Sequence, residues 1–413
     1  MQQLYQSGRL SQYLLLLACL AGVAGLLASR AFIAIAPIVG VVAALANPAL
    51  RHSLPNYFRN GAAMRAAAVI VFLLLTGLYT SEWAIWRHEL FRDLTWLAVP
   101  LAFTLAVPLA GWQCLAVGSL FVLGTAAVGA ATLVGYLLNP AAGNEAIHIG
   151  QNIPAITHIF HIAFGVMLAL AFFGGILLRR HALAGPVLRG ALVGAASVAV
   201  ITLHVLAYRT GLLVLYTGLL AVALRLLLSR NRVLGLGVLA LLVLGPWLAY
   251  KLLPSVHERV QGTRWDIEQF NERHDINEYS LARRLAALET ASHIVGQHWL
   301  LGVGPADTHA AMMEQYDWKS FDLRPENRVE VHNQYVQALL GGGLVGLALL
   351  LALLAWPFTQ RWARRDAAVS LFLLIQATAM LVDAVLDLQF GLNLFVFGYG
   401  FLVVAGERRS NEQ

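Results

Sequence analysis

The sequence predicts an all-α polytopic membrane protein of about twelve transmembrane helices, with one large outer loop that itself contains helices. Three observations predict it. Of 413 residues, 59% are hydrophobic and only 12% charged, with a mean hydropathy of +0.69. A soluble globular domain has about 25% charged residues, so the bilayer must be the main solvent. Second, apolar runs of roughly 18 to 25 residues recur, the length needed to cross a hydrocarbon core of about 30 Å. Backbone groups in lipid must be satisfied locally, which makes these runs helices. Third, one polar stretch from Lys251 to Glu330 holds 9 of the 28 Lys/Arg and 13 of the 22 Asp/Glu.

The twelve apolar stretches lie near 10–28, 31–48, 64–80, 92–110, 112–138, 154–178, 187–207, 211–228, 233–252, 333–357, 368–386 and 391–405. Leu14 to Leu27 is apolar, but a second apolar run begins at Ala31, so both read as retained spans and not as a cleaved signal. With the N-terminus inside, the termini and even-numbered connections hold Arg9, Arg51, Arg59, Arg65, Arg179, Arg180, Arg189, Arg225, Arg230, Arg232, Arg361, Arg364, Arg365, Arg408 and Arg409. The short outer connections hold only Arg30, Arg87, Arg92 and Arg209. Fifteen against four is a positive-inside bias. It predicts cytoplasmic termini and an outward polar stretch, which in a Gram-negative inner membrane faces the periplasm. Three parts follow: spans one to nine over 1–250, an outer loop domain over 251–332, and the last three spans with a short cytoplasmic tail over 333–413.

The net charge of +6 is explained by arginines at helix ends, so it reads as topology and not as a nucleic-acid footprint. Cys19 and Cys114 sit in apolar runs, and the polar stretch has no cysteine to staple it. Within that stretch, Tyr279 to His298 carries Leu281, Leu285, Leu288, Ala291 and Ile294 at helical spacing, with Arg283, Arg284 and Glu289 beside them. This predicts a helix lying over the membrane face. The run from His298 to Pro305 ends it with an apolar anchor and a glycine-rich turn. Trp318 and Phe321 are suited to dip into the headgroup zone.

Five groups of residues could carry chemistry. Arg209 stands in a very short outer connection, against the positive-inside trend and where the bilayer makes charge costly. It is either a snorkelling arginine or an anion ligand, since a guanidinium fork suits phosphate oxygens. Thr210, at the start of the next helix, could add a backbone N–H to that anion. Arg283 and Arg284 point about 100° apart on a helix, so one of them faces any site there while the other belongs to a solvated face.

His332 opens the tenth span and is either an interfacial histidine or a general base near neutral pH. Asn333 could orient its ring or bond a substrate, and Tyr335 completes this polar motif. Gly341 to Gly343 permits close helix packing. His158 and His161 show a His-x-x-His spacing, but two ligands are too few for a zinc site. With Gln151 and Asn152 nearby they suggest a polar cavity or headgroup contacts; no metal and no cofactor are expected. Asp383 and Asp387, spaced i, i+4 near the outer end of the eleventh span with Gln376 and Gln389 close by, either position an arginine or carry protons in a transporter. Two arginines and a histidine at one membrane face are the parts needed to grip a lipid-linked diphosphate and activate a hydroxyl.

Four pieces in order resemble the O-antigen ligase family, which is related to the O-antigen polymerases and bacterial protein O-oligosaccharyltransferases. Tyr208-Arg209-Thr210-Gly211 resembles its Ser-Arg-Thr-Gly motif. Ser280 to Arg284 resembles an outer-loop motif ending in arginine, and Leu300 to Pro305 resembles its Pro-Leu-Leu-Gly-Val-Gly turn. His332 to Gly346 resembles a His-Asn motif leading into a glycine-rich helix. Two positions depart: Tyr208 replaces the usual serine, and Trp299 the usual proline before the turn. The motifs cover Tyr208 to about Leu347, and the span plan agrees along the whole chain.

The resemblance implies a GT-C-like membrane fold and metal-independent, inverting transfer of a glycan from undecaprenyl diphosphate to the lipid A–core oligosaccharide. It implies that Arg209 and Arg284, with Arg283 as a further candidate, bind the diphosphate, and that His332 takes the proton of the acceptor hydroxyl. A polymerase or protein O-glycosyltransferase would use the same donor class. A transporter of polyprenyl lipid or polysaccharide is the reading from another class, with two features against it. No repeated halves are visible, and the charges gather at one membrane face instead of crossing it.

Overall fold

A computed structural model describes residues 2–148, 151–229 and 231–412, so Arg230 lies outside the described residues. Helix makes up 80% of it, with no strand among the described residues. The first half runs through α1 (Arg9–Ala28), α2 (Arg30–Leu45), α3 (Leu50–Arg59), α4 (Gly61–Thr76), α5 (Trp83–Asp93), α6 (Thr95–Leu105) and α7 (Gly111–Leu138). It continues through α8 (His161–Leu178), α9 (Pro186–Val205), α10 (Arg209–Leu227) and α11 (Arg232–Leu252). The polar stretch forms α12 (Pro254–Asn271), α13 (Ser280–His298) and α14 (Thr308–Trp318). Then come α15 (Gln334–Ala355), α16 (Ala367–Ala379) and α17 (Gln389–Gly398), which continues through a π turn to Asn411.

This is a polytopic membrane protein. Among the described residues, eight helices are long and apolar enough to cross: α1, α7 to α11, α15 and α17 with its extension. The pair α3 and α4, bent by 79°, makes a ninth if counted as one span. The expected second, fourth and eleventh spans are shorter helices: α2 and α6 have 16 and 11 residues, and α16 has 13. The eleventh stretch, expected over 368–386, stops being helical at Ala379 because its next carbonyls serve other partners. Met380 O accepts from Gln334 N–H at 2.8 Å and Leu381 O from Asn333 Nδ2 at 2.9 Å. Asp383 and Asp387 therefore do not share a helix face, as their i, i+4 spacing suggested.

Helix starts are made by side chains that take up free N–H groups. Asn60 and Glu407 together cap α4, Asp366 caps α16, and Asn333 caps α15 by accepting from Tyr335 and Val336 N–H. The helix α8 is central, 61% buried against its neighbours, whereas α11 is only 11% buried and faces outward. Where α8 crosses α10, a Cβ on Gly165 would lie 3.1 Å from Gly211 Cα, so both glycines are needed for that approach.

The polar stretch has its own apolar core. The alanine face of α13 (Ala282, Ala286, Ala287, Ala291) packs with Ile294, Met312 and Tyr316. The leucine face turns elsewhere. Phe321 stacks on Phe270 at 6.4 Å beside this core, while Trp318 is exposed. The glycine motifs lock together. Gly343 has φ +56 and breaks α15, freeing the carbonyls of Leu340 and Gly341. Val303 and Gly304 N–H take them at 2.9 and 3.0 Å, and Leu344 N–H returns to Trp299 O at 2.9 Å. The close approach permitted by Gly341 to Gly343 is thus to the glycine turn.

Candidate active site

The Gly165–Gly211 crossing brings the first residues of two helices, His161 of α8 and Arg209 of α10, to one end of the bundle. The helix α12 leans over them with Ser255, Arg259 and Thr263 spaced i, i+4, i+8. Ser255 Oγ donates to Val205 O at 2.6 Å, and Thr263 Oγ1 meets Arg209 Nη1 at 3.5 Å. The leucine face of α13 closes the top. Positions 281, 284, 285 and 288 share one helical side, so Arg284 projects between leucines. From the chain just before α15 come His332 and Asn333. The result is a cavity of about 320 Å³ lined by His161, Arg209, Thr263, Arg284, His332 and Asn333 together with Asn152, Tyr208, Thr210 and Val382, with Ser255 and Arg259 behind the lining.

His332 is fixed by a partner distant in sequence. Its Nδ1 lies 2.6 Å from Asp383 Oδ1, and the aspartate side chain is 3% exposed against 28% for the histidine. With a carboxylate as acceptor, Nδ1 must be the donor, which leaves Nε2 of the neutral ring with its lone pair. The chain around Asp383 is held by Asn333, whose Nδ2 bonds Leu381 O, and by Arg284, whose Nη1 lies 3.3 Å from Val382 O.

The electrostatics are cationic. Burial pushes the Arg284 guanidinium below its ordinary range, Asp383 pulls it back, and Arg209 and Arg283 add repulsion. Arg259, buried on α12, is pushed down to about 10, first by burial and then by Arg209, with Asp266 opposing. Burial also raises Asp266, whose Oδ2 accepts from Leu281 N–H at 2.6 Å, while that bond and the surrounding arginines lower it. Guanidiniums gathered this way lower their mutual repulsion by taking up an anion. Beside them stands a nitrogen able to accept a proton. Gripping a phosphate-type anion and deprotonating a hydroxyl are what this arrangement can do.

The other candidates lie elsewhere. Arg283 donates to Asn327 Oδ1 at 2.7 Å and does not line the cavity. Tyr335 Oη donates to Ala377 O at 2.9 Å on the core side. His158 sits in a turn with φ +57, outside the cavity lining, so His158 and His161 do not face it together. Asp387 lines a separate cleft of about 150 Å³ with Glu89, Arg92 and Asp93, where burial raises its carboxyl to about 6 against the pull of Arg92. Gln376 is fully buried in α16, and Gln389 starts α17. Among the described residues no three His, Cys, Asp or Glu side chains gather as metal ligands. The sequence reading missed Arg259 and Thr263, although their i+4 and i+8 spacing from Ser255 marks one polar helix face. It also missed the pairing of Asp383 with His332.

Residues 194–351, from α9 into α15, match the family model described as O-antigen ligase. Members of that family are glycosyltransferase-like enzymes. The matched stretch contains Arg209, Arg284 and His332 and ends before Asp383. A comparison with curated proteins gives no match.

Proposed function

We propose that this chain, which residues 194–351 assign to the O-antigen ligase family, transfers a glycan from undecaprenyl diphosphate to a hydroxyl of the lipid A–core oligosaccharide. One observation carries the reading: His332, tied to Asp383, shares a cavity with Arg209 and Arg284. Arg209 and Arg284 grip the diphosphate. The acceptor oxygen attacks the anomeric carbon from the face opposite the leaving group, so configuration inverts. As the new C–O bond forms and the bond to the diphosphate oxygen breaks, the hydroxyl proton passes to His332 Nε2. Asp383 holds the ring in the required tautomer and balances the charge that arrives with the proton. Charge grows on the departing diphosphate, so the guanidiniums act more strongly in the transition state than in the ground state. They supply the positive charge that a divalent metal supplies in other transferases.

In this reading the bundle is GT-C-like and crosses the inner membrane twelve times, with both termini cytoplasmic and residues 251–332 in the periplasm. The arginine bias supports that orientation. The test is purified protein in nanodiscs with undecaprenyl-diphosphate glycan, EDTA, and lipid A–core, free glycan or protein as acceptor. A ladder on lipid A–core supports the ligase. Longer glycans or a glycosylated protein would move the assignment to a polymerase or protein transferase. Transfer to none of the three overturns the reading and reopens transport.

A further inference from the structure

Residues 151–160 are irregular, yet they form a wall of the cavity through Asn152 and lead into its lining residue His161. Further along, Ile156 N–H donates to Thr132 Oγ1 at 3.2 Å, and two side chains from distant parts of the chain hold the start of the segment, on either side of Asn152. Tyr208 Oη donates to Ile153 O at 2.7 Å, and Arg259 Nη2 donates to Gln151 O at 2.7 Å. Both residues are buried, at 2% and 6% exposure. Tyr208 is turned inward by Ala207, whose φ of +49 lies in the left-handed region that an alanine adopts at a cost. Its ring then packs edge-on against Phe164 at 6.0 Å.

Tyr208 is also where this chain departs from the Ser-Arg-Thr-Gly pattern. A serine hydroxyl lies too close to its own backbone to reach the Ile153 carbonyl from this position. The tether is therefore a device of this chain. Tyr208 adjoins Arg209, and Arg259 crowds Arg209 electrostatically. Both anchors thus serve the side of the cavity formed by α8, α10 and α12.

We propose that Tyr208 and Arg259 clamp residues 151–160 as the wall of the diphosphate half of the cavity, which makes Tyr208 a positioning residue for the donor. The identity of that donor rests on the ligase reading above. The Tyr208 hydroxyl is engaged with Ile153 and does not meet the reacting atoms, so its loss changes donor affinity and leaves the chemical step alone.

Tyr208→Phe removes only the hydroxyl and keeps the ring packing. Three readouts are taken in nanodiscs: amide hydrogen exchange over 151–160, Kd for undecaprenyl diphosphate, and kcat with donor KM. Removing the donor to the part-buried Ile153 carbonyl predicts faster exchange and about a tenfold rise in Kd and donor KM, with kcat within about twofold. Arg259→Lys, with a shorter reach toward Gln151, moves exchange and Kd in the same direction and serves if the phenylalanine variant folds poorly. Unchanged exchange overturns the clamp, and so does faster exchange with unchanged Kd. Were the native protein to transfer no glycan, the ligase reading would fail, while exchange and Kd would still decide the clamp.

Discussion

Asp383→Asn is the substitution that separates the two functions of the cavity. Asp383 is almost fully enclosed, and its Oδ1 takes the Nδ1–H of His332 at 2.6 Å, while Oδ2 is buried without a hydrogen-bond partner. An asparagine has one oxygen and one NH₂ for these two places. The neighbouring Arg284 guanidinium, which feels the Asp383 charge, repels an NH₂ and favours oxygen on its own side. The NH₂ then faces His332 and donates to Nδ1, which drives the ring proton to Nε2, the nitrogen that must be free to act as base. A hydrogen bond to a charged group is worth about 2–3 kcal/mol, so kcat falls roughly 30- to 150-fold. Donor KM stays within about threefold, because the arginines remain. The assay is steady-state ligation by correctly inserted protein across a pH series. A variant within about threefold of native kcat would refute the positioning of His332 by Asp383.

Other consequences follow from the same geometry. Arg284→Ala raises donor KM at least about 30-fold. Arg283→Ala removes a bond to Asn327 outside the cavity, lowers stability by about 1 kcal/mol and leaves donor KM unchanged; kinetics and melting of both variants check the contrast. Gly343→Ala puts a side chain on a residue at φ +56 and against the Leu300 backbone. It should cost at least about 2 kcal/mol and lower Tm in detergent by several degrees. Asp387 has its carboxyl raised to about 6, so the stability it contributes is full below the ordinary carboxylate range and is lost as pH rises through about 6. Asp387→Asn should therefore raise Tm above neutral pH relative to the native protein and change it little near pH 4, as thermal melts at the two pH values would show.

The apolar periodicity made the helical, membrane-spanning character legible, because hydrocarbon allows the backbone few alternatives. Span lengths were less legible. Composition alone cannot tell that α16 ends at Ala379, since the next carbonyls are taken by Gln334 and Asn333 from the start of α15. Motif order identified the arginines and the histidine, and helical phase alone puts Arg283 and Arg284 on different sides of α13. The pairing of His332 with Asp383 spans 51 positions and crosses between α15 and the chain after α16. Nothing local in the sequence marks it. The i, i+4 spacing of Asp383 and Asp387 even pointed away from it, by suggesting one helix where the chain bends, turning Asp383 to His332 and Asp387 to a separate cleft.

The most direct test of glycan transfer in this cavity is a single-turnover experiment that measures donor binding and transfer separately in His332→Ala and Arg209→Ala. The account predicts that His332→Ala binds undecaprenyl-diphosphate glycan within about threefold of native affinity while its transfer step slows by about 10² to 10⁴. It predicts that Arg209→Ala loses donor affinity itself. Transfer by correctly inserted His332→Ala at the native rate would contradict it.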